Sequence, residues 1–354
     1  MPKTGMLIRT TLALAAVAAV AVTATGVASA RQANNSLSGA GSTFVSPLVT
    51  AWISPVASQI GINMSYNAIG SGGGIAQIQA RAVDFGASDA PLTSDQFAGC
   101  VVGGSGCIQI PWAEAGTAPL YRLDGSGLPK HLNITGATLA NIYLGKITYW
   151  DDKAIKASNK TAHLPHTPIT VVHRSDGSGT TYNWTDYLSR VSPTWKSKVG
   201  TGTAVSWPVG VGASHSSGVS AAVKATNGAI GYADVEFAVK NHLSFMAVKN
   251  RSNRYVTPSL AAFQAAAALD THPAKDGSLS IVNPPASKAY ARAYPICTYT
   301  YVIVPLKTAN AAALKKLIGW AITKGQSYGP ALLFAPIVKS IVTFDQAQLK
   351  KIHT

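Results

Sequence analysis

The sequence predicts an α/β protein built in more than one lobe. Strand-like and helix-like segments alternate along nearly the whole chain. Its 354 residues are more than a single compact core usually holds. Three turns rich in Gly, Ser and Thr each stand between a strand and the start of a helix.

The first thirty residues read as a cleavable export signal and stay outside the fold. Lys3 and Arg9 give a positive start, Leu12 to Val22 is an unbroken apolar run, and Ala28-Ser29-Ala30 supplies small residues for cleavage. The run is too short to span a bilayer comfortably, and polar Arg31, Gln32, Asn34 and Asn35 follow it. No cysteine sits near the cut, so no lipid anchor is expected. The expectation is a soluble protein, periplasmic or secreted.

Leu37 to Ala40 then forms a short strand ending in Gly39-Ala40-Gly41. Leu48, Val49, Trp52, Ile53, Val56 and Ile60 recur at helical spacing after it, with Ser46 as the expected N-cap and Pro47 at the first helical position. Pro55 should kink or end that helix. Met64, Tyr66 and Ala68 alternate as a strand into the loop Gly70-Ser71-Gly72-Gly73-Gly74, and a short helix buries Ile75 and Ile78. Val83 to Ala87 is a strand that delivers Asp89 at its end. Ile169 to His173 is another, running into Arg174-Ser175-Asp176-Gly177-Ser178-Gly179-Thr180, with Trp184, Tyr187, Leu188 and Val191 on one face of the following helix. Asn227-Gly228 stops a helix over Val219–Ala225 and precedes a strand from Ala229 to Ala233. Tyr299 to Pro305 is a late apolar strand, followed by an amphipathic helix carrying Leu314, Leu317, Ile318 and Ile322.

Cysteine usage fits export. Cys100 and Cys107 flank a flexible Val-Val-Gly-Gly-Ser-Gly stretch and are expected to pair, while Cys297 is expected to be a buried free thiol. No pair has zinc-ligand spacing, so no metal is expected. The net charge is +15, with 29 basic and only 14 acidic residues. The basic residues are scattered and no arginine-rich run interleaves with aromatics, which argues against nucleic acid and leaves an anionic ligand or surface. The shortage of carboxylates would suit an acidic medium.

The chemistry concentrates in Gly41-Ser42-Thr43-Phe44, Gly70 to Gly74 and Gly177 to Thr180. A helix start leaves unpaired backbone N–H groups and a partial positive charge, so it attracts anions. Hydroxyls in the same turn add donors, and glycine lets the backbone come close. Arg174 can contact an oxyanion with two prongs, and Asp176 can orient its guanidinium. Asp89 repels an anion unless the anion carries a proton to donate; phosphate does, and sulfate at neutral pH does not.

Four ordered motifs carry a family resemblance: Gly39 to Phe44, Gly70 to Gly74, Val83 to Pro91, and His173 to Thr180. With them the chain resembles the periplasmic phosphate-binding protein of the phosphate-specific ABC transporter, from about Leu37 to the 337–342 region. Ile142 to Ile147, Val199 to Gly202 and Gly228 to Tyr232 support the match. The resemblance implies a two-lobed periplasmic-binding-protein clamshell, each lobe a mixed sheet flanked by helices, with the ligand in the cleft. It implies a discontinuous first lobe over 31–112 and 302–354, and a second lobe over 113–301, with crossings near Trp112 and Tyr301. The phosphate ligands would be Thr43, Phe44 through its amide, Ser71, Asp89 as proton acceptor, Arg174, Ser178, Gly179 and Thr180, with Asp176 holding Arg174. The implied partners are inorganic phosphate and the membrane permease subunits of an importer. The implied receptor is a monomer, with neither cofactor nor catalysis. Val45 stands where the family usually has Pro, and His173 replaces a basic neighbour of Arg174; neither is a proposed ligand group. The alternatives are a receptor for arsenate, phosphonate or molybdate, or a secreted phosphatase. The phosphatase is disfavoured because no Gly-x-Ser-x-Gly, Walker or His-Glu-x-x-His motif occurs.

Overall fold

The computed structural model describes residues 35–354. The expected signal segment, residues 1–30, lies outside the described residues.

Among the described residues twelve strands follow in chain order: β1 (Ser36–Gly41), β2 (Asn63–Asn67), β3 (Phe85–Ser88), β4 (Cys107–Tyr121), β5 (Asn133–Ile134), β6 (Thr170–Arg174), β7 (Val211–Ala213), β8 (Ala229–Asp234), β9 (Ser244–Phe245), β10 (Ala247–Lys249), β11 (Tyr255–Val256) and β12 (Cys297–Pro305). The main sheet runs β2-β1-β3-β12-β4-β8-β6-β7, with β9 added on β4, and β11-β10-β5 form a separate small sheet. Pairing is parallel among β2, β1 and β3 and again among β8, β6 and β7, while β12 and β4 run antiparallel to their neighbours. The fold is therefore the α/β, two-lobed architecture the sequence leads one to expect.

The long strand β4 joins the two halves. From Cys107 to Gly116 it pairs with β12, and from Thr117 to Tyr121 it pairs with β8. Nearly all of it is buried, as its apolar sequence requires, since helices cover both faces. At the exchange of partners Thr117 is held from three sides. Its amide donates to Ile296 O at 2.8 Å, its hydroxyl to Asn183 Oδ1 at 2.7 Å, and its carbonyl accepts from Tyr294 Oη at 2.8 Å. Each half has an aromatic core. Trp52 meets Trp112 edge-on at 5.3 Å in the first, and Trp184 stacks on Tyr232 at 5.0 Å in the second.

Two local expectations change. The first helix, Ser46–Ile60, has Val45 rather than Ser46 in the N-cap position. Ser42 Oγ already accepts the Phe44 and Val45 amides at 3.0 and 3.3 Å, so the chain turns earlier, and the Ser46 hydroxyl bonds back to Thr43 O at 2.9 Å. Pro55 neither ends nor shortens this helix, which continues to Ile60. The stretch Gly70–Gly74 is likewise not a loop before a helix, because Ser71–Gln79 is already helical. A Cβ at Gly74 would lie 2.4 Å from Gly41 Cα, so the glycines there serve close packing of helix on strand.

Cys100 and Cys107 form a disulfide, and Cys297 is a buried free cysteine. Among the described residues no helix is long and apolar enough to cross a membrane.

Candidate functional site

Four helix starts converge where β1, β3 and β6 end: Ser46–Ile60, Ser71–Gln79, Gly179–Val191 and His215–Ala225. Each follows a strand or its turn, so each brings its free amides and the positive end of its dipole to this place. Hydrogen bonds between the turns fix the convergence. Gly70 N donates to Gly41 O at 2.9 Å, Gly72 N to Gly177 O at 2.9 Å, and Gly179 N to Ser71 Oγ at 3.0 Å. Thr43 Oγ1 meets Ser216 Oγ at 2.9 Å. Gly41 and Gly179 are required by this closeness. A Cβ at Gly41, whose φ is +141°, would lie 2.2 Å from Ala87 O, and one at Gly179 would lie 2.6 Å from both Asp89 N and Ser71 Oγ.

Asp89 sits at the centre, only 1% exposed. Its carboxylate accepts from Ser42 Oγ at 2.5 Å and from Ser71 Oγ at 3.4 Å. Burial pushes its pKa up to about 7, although the Ser42 hydrogen bond, the Arg174 charge and the Ser71 and Thr300 hydroxyls pull the other way. Near neutrality this carboxyl therefore gains and loses a proton readily.

Arg174 is also buried, and its backbone amide donates to Tyr232 Oη at 3.1 Å. Its Nε donates to Asp176 Oδ1 at 2.7 Å, one terminal nitrogen pairs with the second Asp176 oxygen, and the other reaches Ser216 Oγ at 3.4 Å. Asp176 additionally accepts the His215 amide at 2.9 Å. Burial works to raise the pKa of Asp176, but the Arg174 hydrogen bonds and charge outweigh it and hold the carboxyl below its ordinary range.

The structure brings all eight anticipated ligand residues into one region and distributes their groups unevenly. Thr180 presents a buried hydroxyl with no protein partner. Ser178 is occupied locally: its hydroxyl caps the Thr181 amide at 3.1 Å and its own amide donates to Thr203 O at 2.8 Å. The Phe44 amide is turned onto Ser42. Sequence reasoning missed Ser42 and Ser216 as members of the cluster. Ser42 lay inside a motif already singled out. Ser216 lay in Ser214-His215-Ser216-Ser217-Gly218, a hydroxyl-rich helix start of the same kind as the other three, and that signal could have found it.

Hydroxyls, helix amides and one guanidinium around a carboxyl near its own titration point can hold a compact oxyanion that brings a proton. Comparison with known proteins agrees with this. Residues 25–324 match the family model described as a PBP superfamily domain. A phosphate-binding protein PstS of Xylella fastidiosa is 41% identical over 310 residues, covering 86% of this chain and 82% of that protein. One from Pasteurella multocida is 36% identical, covering 89% and 90%. Among solved structures, a high-affinity periplasmic phosphate-binding protein with phosphate bound superposes with a TM-score of 0.70 at 20% identity, covering 88% of this chain and 93% of that one. A phosphate-binding protein from Stenotrophomonas maltophilia gives a TM-score of 0.66, also at 20% identity, covering 88% and 93%. The chain belongs to the PstS family of phosphate-binding proteins, within the PBP superfamily.

Proposed function

We propose that this chain is an exported receptor that captures inorganic phosphate between two lobes and delivers it to the membrane permease subunits of an ABC importer. The observation that carries this reading is Asp89: a buried carboxyl placed among anion donors, with its pKa near neutrality. A site for a fully ionised oxyanion gains nothing from a carboxylate, whereas phosphate sheds its second proton in the same neutral range and can share it with Asp89.

In this reading Arg174 supplies the full positive charge and Asp176 sets its orientation. Thr43, Ser71 and Thr180 donate hydroxyls, the Phe44 and Gly179 amides exchange their Ser42 and Ser71 partners for phosphate oxygens, and Ser178 shapes the helix start that carries Gly179 and Thr180. Ser42 and Ser216 join by holding Asp89 and Thr43. The lobes divide where β4 leaves β12 for β8, between Gly116 and Thr117, and the chain returns at the start of β12. These limits lie a few residues from Trp112 and Tyr301. The relatives are named as binding proteins, and we read this chain as a receptor rather than an enzyme, working as a monomer in the periplasm or outside the cell.

Calorimetric titration of ligand-stripped protein with phosphate at pH 7, with sulfate in parallel, tests the reading. Saturable one-to-one phosphate binding with much weaker sulfate binding is expected. Silence toward phosphate in verified ligand-free protein would overturn it.

A further inference from the structure

The part of the chain after β8 carries a cation cluster that the oxyanion cage does not use. The turn joining β10 to β11 reads Lys249-Asn250-Arg251-Ser252-Asn253-Arg254-Tyr255. Asn250 is 7% exposed and ties the turn down. Its amide nitrogen donates to Ala291 O at 3.2 Å and Ala293 O at 3.1 Å, and its side-chain oxygen accepts the Ser252 and Arg254 amides at 3.0 and 3.1 Å. Ser252 Oγ adds a bond to Ser287 O at 3.3 Å. The turn is thus fastened to the 287–293 segment, so that Arg292 lines the same hollow as Arg254, with Arg251 and Lys288 on the two fastened stretches. All four are exposed, and none joins an ion pair among the described residues.

Holding like charges together on a fastened turn costs repulsion that an anionic partner would relieve. The shape beside them narrows the partner. Arg254, Tyr255 and Arg292 line a hollow of about 510 Å³, with the half-buried Val256 and the buried Ala262 on its inner side. Tyr255 is 37% exposed, with Lys249 Nζ 5.8 Å from its ring centre. A cationic rim over an apolar floor, with an amphipathic aromatic at the edge, suits a phospholipid headgroup and the start of its chains. Free phosphate or a soluble polyanion would leave the floor unused.

We propose that this surface docks the receptor on a membrane containing anionic phospholipid. The choice of a membrane rests on the receptor reading above, which puts the protein to work beside a membrane importer; each phosphorylated headgroup would sit between Arg254 and Arg292, with the other cations adding long-range attraction.

The test is co-sedimentation of the protein with vesicles of phosphatidylglycerol and phosphatidylcholine, against vesicles of phosphatidylcholine alone. Binding to the anionic vesicles alone is expected, weakening with added salt. The double variant Arg254→Gln/Arg292→Gln should bind about 30-fold more weakly, from roughly 1 kcal/mol per cation at the surface. The charge-matched Lys350→Gln/Lys351→Gln should change binding less than about threefold. Equal binding to both vesicle types would overturn the proposal. So would equal losses in the two variants, which would make the attraction one of net charge only. Phosphate titration of the same samples is a separate readout: normal phosphate binding without vesicle binding sinks only this inference, and the reverse sinks the receptor reading.

Discussion

Asp89 and Asp176 are two aspartates of one site whose pKa values are pushed in opposite directions. Asp89 lies on the wall built from β1, β3 and the helix Ser71–Gln79, where its immediate partners are neutral hydroxyls. Burial dominates there and lifts its pKa to about 7. Asp176 lies on the wall built from β6 and the helix His215–Ala225, locked in a two-pronged pair with Arg174, and stays ionised well below neutrality. One charge is consumed in aiming the guanidinium. If phosphate binds as proposed, the other responds to the proton on the ligand, and selectivity and affinity fall on different walls.

Removing Arg174 should have the largest effect, because both carboxyls depend on it. Arg174→Ala takes away the one full positive charge of the cage and leaves the half-buried Asp176 with only the His215 amide as a partner. With hydrogen bonds to charged groups at about 1.5–3 kcal/mol each, phosphate affinity should fall at least about 1000-fold by calorimetry. Retained micromolar binding would show that the helix ends alone suffice.

On the proposed reading Asp89 selects the anion, so its signature is a pH profile. Above about pH 7 Asp89 loses its proton, yet monohydrogen phosphate still brings one to share. Phosphate affinity should therefore hold from pH 6 to 8.5. Sulfate brings none and needs the proton on Asp89, so its affinity should fall about tenfold per unit above pH 7. In Asp89→Asn the amide donates at every pH. Sulfate binding should then become independent of pH and phosphate binding should weaken about 10- to 100-fold. An unchanged sulfate profile in the variant would remove Asp89 from the selectivity mechanism.

Asp176→Asn is expected to act less strongly and through position. Arg174 keeps its charge but loses the carboxylate that accepts from Nε and a terminal nitrogen, and the His215 amide keeps only a neutral acceptor. Net charge in the cage becomes more positive, which favours an anion and offsets part of the misalignment. A loss of about tenfold is expected, seen mainly as faster phosphate release in stopped-flow, with the sulfate profile unchanged. A shift of that profile would mean the two walls are not separable.

The legibility of these walls from sequence followed the physics of each part. Strand, small-residue turn and helix start are encoded locally, so Gly41, Ser71, Asp89, Arg174 and Gly179 could be picked out before any coordinates. Ser216 is brought to Thr43 across 173 residues, and a local reading gives no reason to connect them. The N-cap at Ser46 was misplaced for a related cause: Ser42, four residues earlier, already accepts the Phe44 and Val45 amides that lead into the helix while also donating to Asp89. One hydroxyl serving the helix and the site together is visible only in three dimensions.

A buried acid outside the site sharpens the contrast because no anion chemistry surrounds it. Glu114 lies in β4, paired in register with Tyr299, and neither of its carboxylate oxygens has a partner. Burial raises its pKa to about 8, against roughly 4.3 in an unfolded chain. Between those values the folded protein holds a proton that the unfolded chain has released. The stability from the neutral acid is therefore complete below about pH 4.3 and is lost as pH rises toward 8. Glu114→Gln removes this dependence while keeping the shape. Measured against the variant, the wild type should lose on the order of a few kcal/mol of stability between pH 5 and 8, read as a drop in relative Tm. Phosphate affinity should stay within about twofold, since the side chain pairs with Tyr299, on the opposite face of the sheet from the Thr298 and Thr300 groups that meet Asp89. A parallel change in affinity would mean that protonation of the joining strand is transmitted to the cage, and would make Glu114 a part of the site rather than a cost of its burial.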